Sequence, residues 1–334
     1  MNQTSPSIKK ACMIFGILFF ISIPLVWSSL FFTNYQGDLT RIGKWMDSDF
    51  GGQIEQPVIS PDLLVSSPIN EADVLVIGDS FSESLHWQSV LTQSQIKVST
   101  LLWSQIGEIC EDFPQKLQAS GFHGNTIIIE SIERVAERQF EKSVNCKIGL
   151  DIPMDTHRIS KFNPLKYQIN LKFNIHGQFI AGLQTIYHSV AIRFSQDYPK
   201  LHNYKSKETH IYPLEDGCDY FSNKLCKYGL FFHEDYSQPI LGQKSLADID
   251  TLKKRLRSYR TIWVIVPNKS SVYQREISGE FWEDLEKRKL GPNLYLLLQS
   301  TKKNIKDLYA PNDTHFSNSA YLLFGQKMTE FIAR

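Results

Sequence analysis

Five short blocks of this 334-residue chain carry large or β-branched apolar residues in nearly unbroken runs: 74–77, 98–102, 126–130, 261–266 and 293–298. A strand with one wet face alternates apolar and polar residues, whereas a strand apolar on both sides must be covered on both. Each block is followed by a turn signal or a polar segment. Between them, "EDFPQKLQAS", "IERVAERQFEKS" and "DIDTLKKRLRSY" repeat their apolar residues three and four apart, which is the helical period. Strands alternating with helices predict an α/β domain built on a parallel sheet, with functional groups at the carboxyl ends of the strands. Two segments fit the alternation poorly. Residues 37–71 read as a polar linker to a domain of residues 72–334, and residues 151–248 as an irregular insertion rich in Tyr, His, Phe and Asn.

The N-terminus sets a second constraint. No charged residue occurs from Ala11 to Gly37, and "ACMIFGILFFISIPLVWSSLFF" is about long enough to cross a bilayer as a helix. A cleaved signal peptide has a shorter apolar stretch and ends in small residues. Here Leu30, Phe31 and Phe32 stand where cleavage would fall, so an uncleaved signal-anchor over residues 1–36 is expected, with residues 11–33 in the membrane. Trp27 and Tyr35 suit an interfacial belt. Cys12 lies in the span, which leaves an even number of cysteines, Cys110, Cys146, Cys218 and Cys226, in the remainder. At least one disulfide is expected, with Cys218 and Cys226 flanking the short polar loop "CDYFSNKLC". Disulfides and an anchor together predict a body in the periplasm. The net charge of +1 argues against a nucleic-acid binder. The chain has neither a C-x-x-C pair nor a Gly-rich phosphate loop, so no metal or nucleotide cofactor is expected.

The first apolar block runs directly into Gly78-Asp79-Ser80. A serine at a strand end and a helix start either caps the helix or presents its hydroxyl beside backbone N–H groups able to hold an oxyanion. As a nucleophile it needs a base, usually His, oriented by an acid. Near the C-terminus, "APNDTHFSNSAY" sets Asp313 and His315 two apart, on the same side of an extended backbone. A decoy, Asp155-Thr156-His157, lies in the insertion. Asp79 reads as a turn or cap residue, and His86, on the following helix, is a weaker candidate.

With these motifs the chain resembles SGNH (GDSL-type) hydrolases, and within them the membrane-anchored alginate O-acetyltransferase-like branch. The shared blocks are "GDLTRIG", "VLVIGDSFS", "ESIERVAER", "FFHEDY", "VPNKSSVY" and "DTHFSNSAYLLFG", spread over most of the chain after residue 36. The resemblance implies a three-layer α/β/α fold and acyl transfer through Ser80, with His315 as base and Asp313 as its orienting acid. There are departures. The usual Asp-x-x-His is Asp-x-His here, as in that branch, but it follows the serine, whereas alginate relatives often place it before. The third block has no oxyanion-donating Asn, and reads Ser131-Ile132-Glu133-Arg134 after "TIIIE". Gly107 in "SQIGEIC" stands for the second block's glycine as an oxyanion donor. Arg134, Asn268, Lys269 and Tyr273 lie near strand ends and are candidate substrate contacts, Arg134 together with Glu133; an ordinary helix-surface or buried ion pair is the alternative for Arg134.

These expectations add up to a periplasmic O-acetyltransferase of the inner membrane. It would pass an acyl group from a membrane-bound acyltransferase to a polysaccharide hydroxyl, without a cofactor. A carbohydrate esterase with the same triad and a catalytically inert subunit of a polysaccharide export complex are the alternatives.

Overall fold

The computed structural model describes residues 6–153, 155–160, 174, 176–195, 209–237 and 241–333. Among the described residues there are eight strands: β1 (Val65–Ser66), β2 (Val74–Gly78), β3 (Val98–Leu102), β4 (Thr126–Ile132), β5 (Arg158–Ile159), β6 (Thr209–Pro213), β7 (Tyr228–Phe232) and β8 (Arg260–Val266). Four of them form one parallel sheet in the order β3-β2-β4-β8. The protein is therefore mixed α/β, and four of the five expected strands lie in its sheet.

The apolar runs are explained by what covers them. Leu75, Ile77, Ile127, Ile129, Trp263 and Ile265 face one apolar cluster, which includes Leu117, Phe140, Leu252 and Leu285. Their neighbours Val74, Val76, Ile128, Ile262 and Val264 face a second, which includes Leu91, Leu298, Phe324 and Met328. The period-two alternation of a strand thus divides its residues between two dry faces. The three helical patterns appear as Phe113–Ala119, Glu133–Asn145 and Gln243–Arg255.

Residues 293–298 are a correction. They fall in the helix Leu294–Thr301, where the Asn293 side chain accepts from the Leu296 N–H at 2.9 Å and caps the first turn. Leu294 and Leu298, four apart, are buried, while Leu296 between them is 60% exposed. Gly291 presses its backbone against the carbonyl of Trp263, where a Cβ would lie 1.7 Å from that oxygen. The adjacent Leu290 carbonyl accepts from the Trp263 N–H of β8 at 2.9 Å.

Residues 37–71 also differ from a linker. Leu39, Trp45 and Phe50 are fully buried and form a third apolar cluster with Ile192, Ile211 and Leu230. Of the expected irregular insertion, residues 154, 161–173, 175, 196–208 and 238–240 lie outside the described residues. The described part holds the 16-residue helix Phe179–Phe194 and the antiparallel pair β6–β7. At the N-terminus, one helical stretch, Ser7–Thr33, is long and apolar enough to cross a membrane, with a mean hydropathy of 2.2.

Cysteines pair as Cys110–Cys146 and Cys218–Cys226, and Cys12 is free. Peptide mapping without reduction should recover both linkages. Cys110→Ala should cost more than Cys218→Ala, about 4 against about 2–3 kcal/mol in the chain-entropy picture. The reason is that the first bridge closes a loop of 36 residues and the second a loop of 8. Equal losses in urea denaturation would contradict this.

Candidate active site

β2 lies between β3 and β4, so the chain passes to one side of it and then returns to the other. The carboxyl end of β2 is therefore where connections diverge and leave a crevice. Gly78 ends the strand and Ser80 opens the short helix Ser80–Glu83. The glycine is required by close packing, since a Cβ there would meet the Ser82 hydroxyl at 2.3 Å and Glu130 at 2.7 Å. Asp79 fixes the turn from both sides. One of its oxygens accepts from the Phe81 N–H at 2.9 Å, and the other from the Ile132 N–H of β4 at 2.7 Å. Beneath the turn, the buried Glu130 carboxyl accepts from the Asp79 N–H and the Ser82 hydroxyl, at 3.0 and 2.7 Å. Burial, and then the charge of Asp79, raise its pKa well above the usual carboxylate range.

The Ser80 hydroxyl stands exposed above this scaffold. It lies 2.8 Å from Nε2 of His315, whose Nδ1 lies 2.7 Å from Oδ1 of Asp313. The Phe81 ring packs against the imidazole, centroids 4.9 Å apart. Burial alone would lower the His315 pKa, but the hydrogen bond and charge of Asp313, aided by the charge of Asp38, outweigh it and leave it raised. Burial likewise works against the Asp313 carboxylate, and the bond and charge of His315 overcome it, so Asp313 is held well below the usual range. The Ser80 N–H, in the first helical turn, has no hydrogen-bond partner among the described residues. It is a free donor beside the hydroxyl.

The acid and base share one tight loop. Ala310 N–H donates to the His315 carbonyl, Asp313 N–H to the Ala310 carbonyl, and Ser317 N–H to the Leu308 carbonyl, each at 2.9–3.1 Å. Ser317 then caps the helix Asn318–Ile332. A cavity of about 500 Å³ opens over Ser80, Asp313 and His315, with Gln36, Glu83, His86, Ser160, Phe316 and Tyr321 in its walls. Burial lowers the His86 pKa to about 4, so its imidazole is neutral there.

The other five expected site residues do not line this cavity. Gly107 ends a helical turn and spends its N–H on the Trp103 carbonyl, at 2.8 Å. It has no N–H left for an oxyanion. Arg134 pairs with the buried Asp235 at 3.5 Å and lies over the Phe232 ring. This is the buried ion pair that stood as the alternative for Arg134, and the adjacent Glu133 accepts from the Asn268 N–H at 2.7 Å. Asn268 and Tyr273 are buried. Lys269 is buried too, and its ammonium donates to the carbonyls of Ala310, Pro311 and Asp313 at 2.8–3.1 Å. These three bonds hold the loop that carries the acid and base. The decoy His157 is used elsewhere, its Nδ1 lying 3.1 Å from the Ser66 carbonyl.

Asp38 was not expected in the site. Its carboxylate accepts from both the N–H and the hydroxyl of Thr314, the first at 2.8 Å, and lies 3.7 Å from Nδ1 of His315. The "GDLTRIG" block offered the only sequence signal for it. Asp38, Asp313 and His315 bring three ligand atoms within 4.8 Å, a spacing open to a cation. Those atoms are already hydrogen-bonded to Thr314 and to one another, which leaves no inward-facing set of free donors. No protein-family model, curated protein or solved structure matches the chain.

Burial lowers the Lys269 pKa to about 7, yet three acceptors surround it, as suits an ammonium. Lys269→Met would strip a donor from three buried carbonyls, so a loss of about 1–3 kcal/mol is expected in urea denaturation. Reactivity at Ser80 should fall with it. Unchanged stability and reactivity would contradict the clamp.

Proposed function

We propose that this protein is a membrane-tethered O-acyltransferase that carries an acyl group on Ser80 and passes it to a hydroxyl of a surface polysaccharide. The observation that carries the reading is the unbroken relay from Ser80 through His315 to Asp313 at the floor of a cavity. Apolar clusters on both faces of a parallel sheet suit the three-layer SGNH-like fold implied by the sequence resemblance.

In this reading His315 Nε2 takes the Ser80 proton as the hydroxyl attacks the donor's acyl carbonyl. The carbonyl oxygen becomes an oxyanion facing the Ser80 N–H, and His315 returns the proton to the leaving group as the acyl–donor bond breaks. A glycan hydroxyl then attacks the acyl-serine. Its proton goes to His315 and from there to the departing Ser80 oxygen. Asp313 stays ionised throughout and stabilises the imidazolium formed in each half-reaction. The cavity lies in the size range of small-molecule sites.

The apolar Ser7–Thr33 stretch supports a donor delivered at a membrane. Asp38 follows Thr33 after only Asn34, Tyr35, Gln36 and Gly37, a contour of about 18 Å at most. A membrane-embedded acyltransferase is the donor partner that fits this placement. The two disulfides support a periplasmic body over a cytoplasmic one. Exposure of Ser80 also admits water, which favours a carbohydrate esterase as the second reading.

The full chain in detergent, given an activated acetyl ester and an oligosaccharide of the host surface polymer, should acetylate the oligosaccharide. Ser80→Ala should abolish both transfer and ester cleavage. Fast ester cleavage with no glycan product would favour the esterase, and no reaction of either kind would favour an inert subunit.

The base form of His315 does the work, and its pKa is raised. The rate should therefore be full at alkaline pH and fall with acidification, with a midpoint above the ordinary imidazole value of about 6.5. A midpoint below that value would contradict the relay.

A further inference from the structure

We propose that Asp38, in the segment that leaves the membrane helix, is a positioning residue of the Ser80 site, so that the anchor's exit segment is a working part of the active site. The inference rests on the acyl-transfer reading and names a residue that reading does not need.

The geometry is reciprocal. The Asp38 N–H donates to Oδ2 of Asp313 at 3.0 Å, which leaves Oδ1 of Asp313 for His315. In return, the Asp38 carboxylate takes the N–H and hydroxyl of Thr314, the residue between the acid and the base. Backbone bonds extend the dock, with Leu39 and Thr40 N–H groups both directed at the Asn312 carbonyl, at 3.1 and 3.3 Å. Asn312 in turn donates to Asp47 at 2.7 Å. Gly37 makes the approach possible, because a Cβ there would lie 2.1 Å from the Asn312 oxygen.

Asp38 therefore does two things at once. It fixes the rotation of the Asp313 carboxylate by occupying its second oxygen, and it adds a negative charge 3.7 Å from Nδ1 of His315. The groups facing His315 are Asp313 and Thr314 on its own loop, Asp38 from the exit segment, and Ser80 and the Phe81 ring from the β2 turn, with the charge of Arg134, in the helix after β4, acting without contact. Asp313 and Asp38 raise its pKa, and Arg134 opposes them.

The test uses the full chain in detergent with Asp38→Asn, Asp38→Glu and Gly37→Ala. A fluorophosphonate reports the rate of Ser80 modification against pH, and histidine NMR reports the His315 titration, assigned by the resonance lost in His315→Gln. Asp38→Asn should slow modification by about 10- to 100-fold, the range in which a small misplacement acts. It should also shift the acid limb and the His315 titration to lower pH. Gly37→Ala should do the same, and Asp38→Glu should recover most of both. A His315 titration and rate unmoved in Asp38→Asn would overturn the proposal. So would a rate loss with the titration unmoved and no recovery in Asp38→Glu, which is the mark of a merely structural residue. Wild-type protein inert at Ser80 would sink the acyl-transfer reading. In that event, a shifted titration would still support the placement of Asp38 at His315, and an unmoved one would refute it.

Discussion

The ammonium of Lys269 is surrounded by the carbonyls of Ala310, Pro311 and Asp313, and the shape of the 308–317 loop follows from that contact. Burying a charged amine is costly unless each of its protons is matched. Three carbonyls match three protons, so the amine and the loop stabilise each other. The loop brings Asp313 and His315 from the C-terminal part of the chain to a serine 235 residues earlier in the sequence. Asp38 also braces the same loop, through Asp313 and Thr314. One loop is thus fixed by a lysine after β8 and by an aspartate near the N-terminus.

What could be read from sequence was what short range determines. The strands β2, β3, β4 and β8 were legible because residues apolar on both faces must be doubly covered. Ser80, Asp313 and His315 were legible because each sits in a compact motif whose chemistry requires the others. The 293–298 stretch was misread because five of its residues are equally at home in a buried strand or a half-buried helix. The capping bond of Asn293 starts a helix there. The surroundings of Lys269 and Gly107 were less legible, for a related reason. Position at a strand end says that a residue is near the crevice, not which way its donors point. In both cases the donors are directed into the protein.

Residues 37–71 hold the lesson about long range. A polar stretch with Pro and Ser reads as a linker, yet Leu39, Trp45 and Phe50 are buried against residues more than a hundred positions away. Nothing local announces such a contact. The result is that the polypeptide leaving the apolar N-terminal helix turns at once onto the acid–base loop. The candidate site is thus tied directly to the segment that follows a helix apolar enough to cross a membrane.

Acyl transfer through Ser80 requires a covalent acyl-serine. The most direct measurement is mass spectrometry of the Ser80 peptide after brief exposure of the full chain to an activated acetyl ester. An acetyl adduct on Ser80 that disappears in His315→Ala is the expected result. An adduct on another residue, or one on Ser80 that forms equally well without His315, would contradict it.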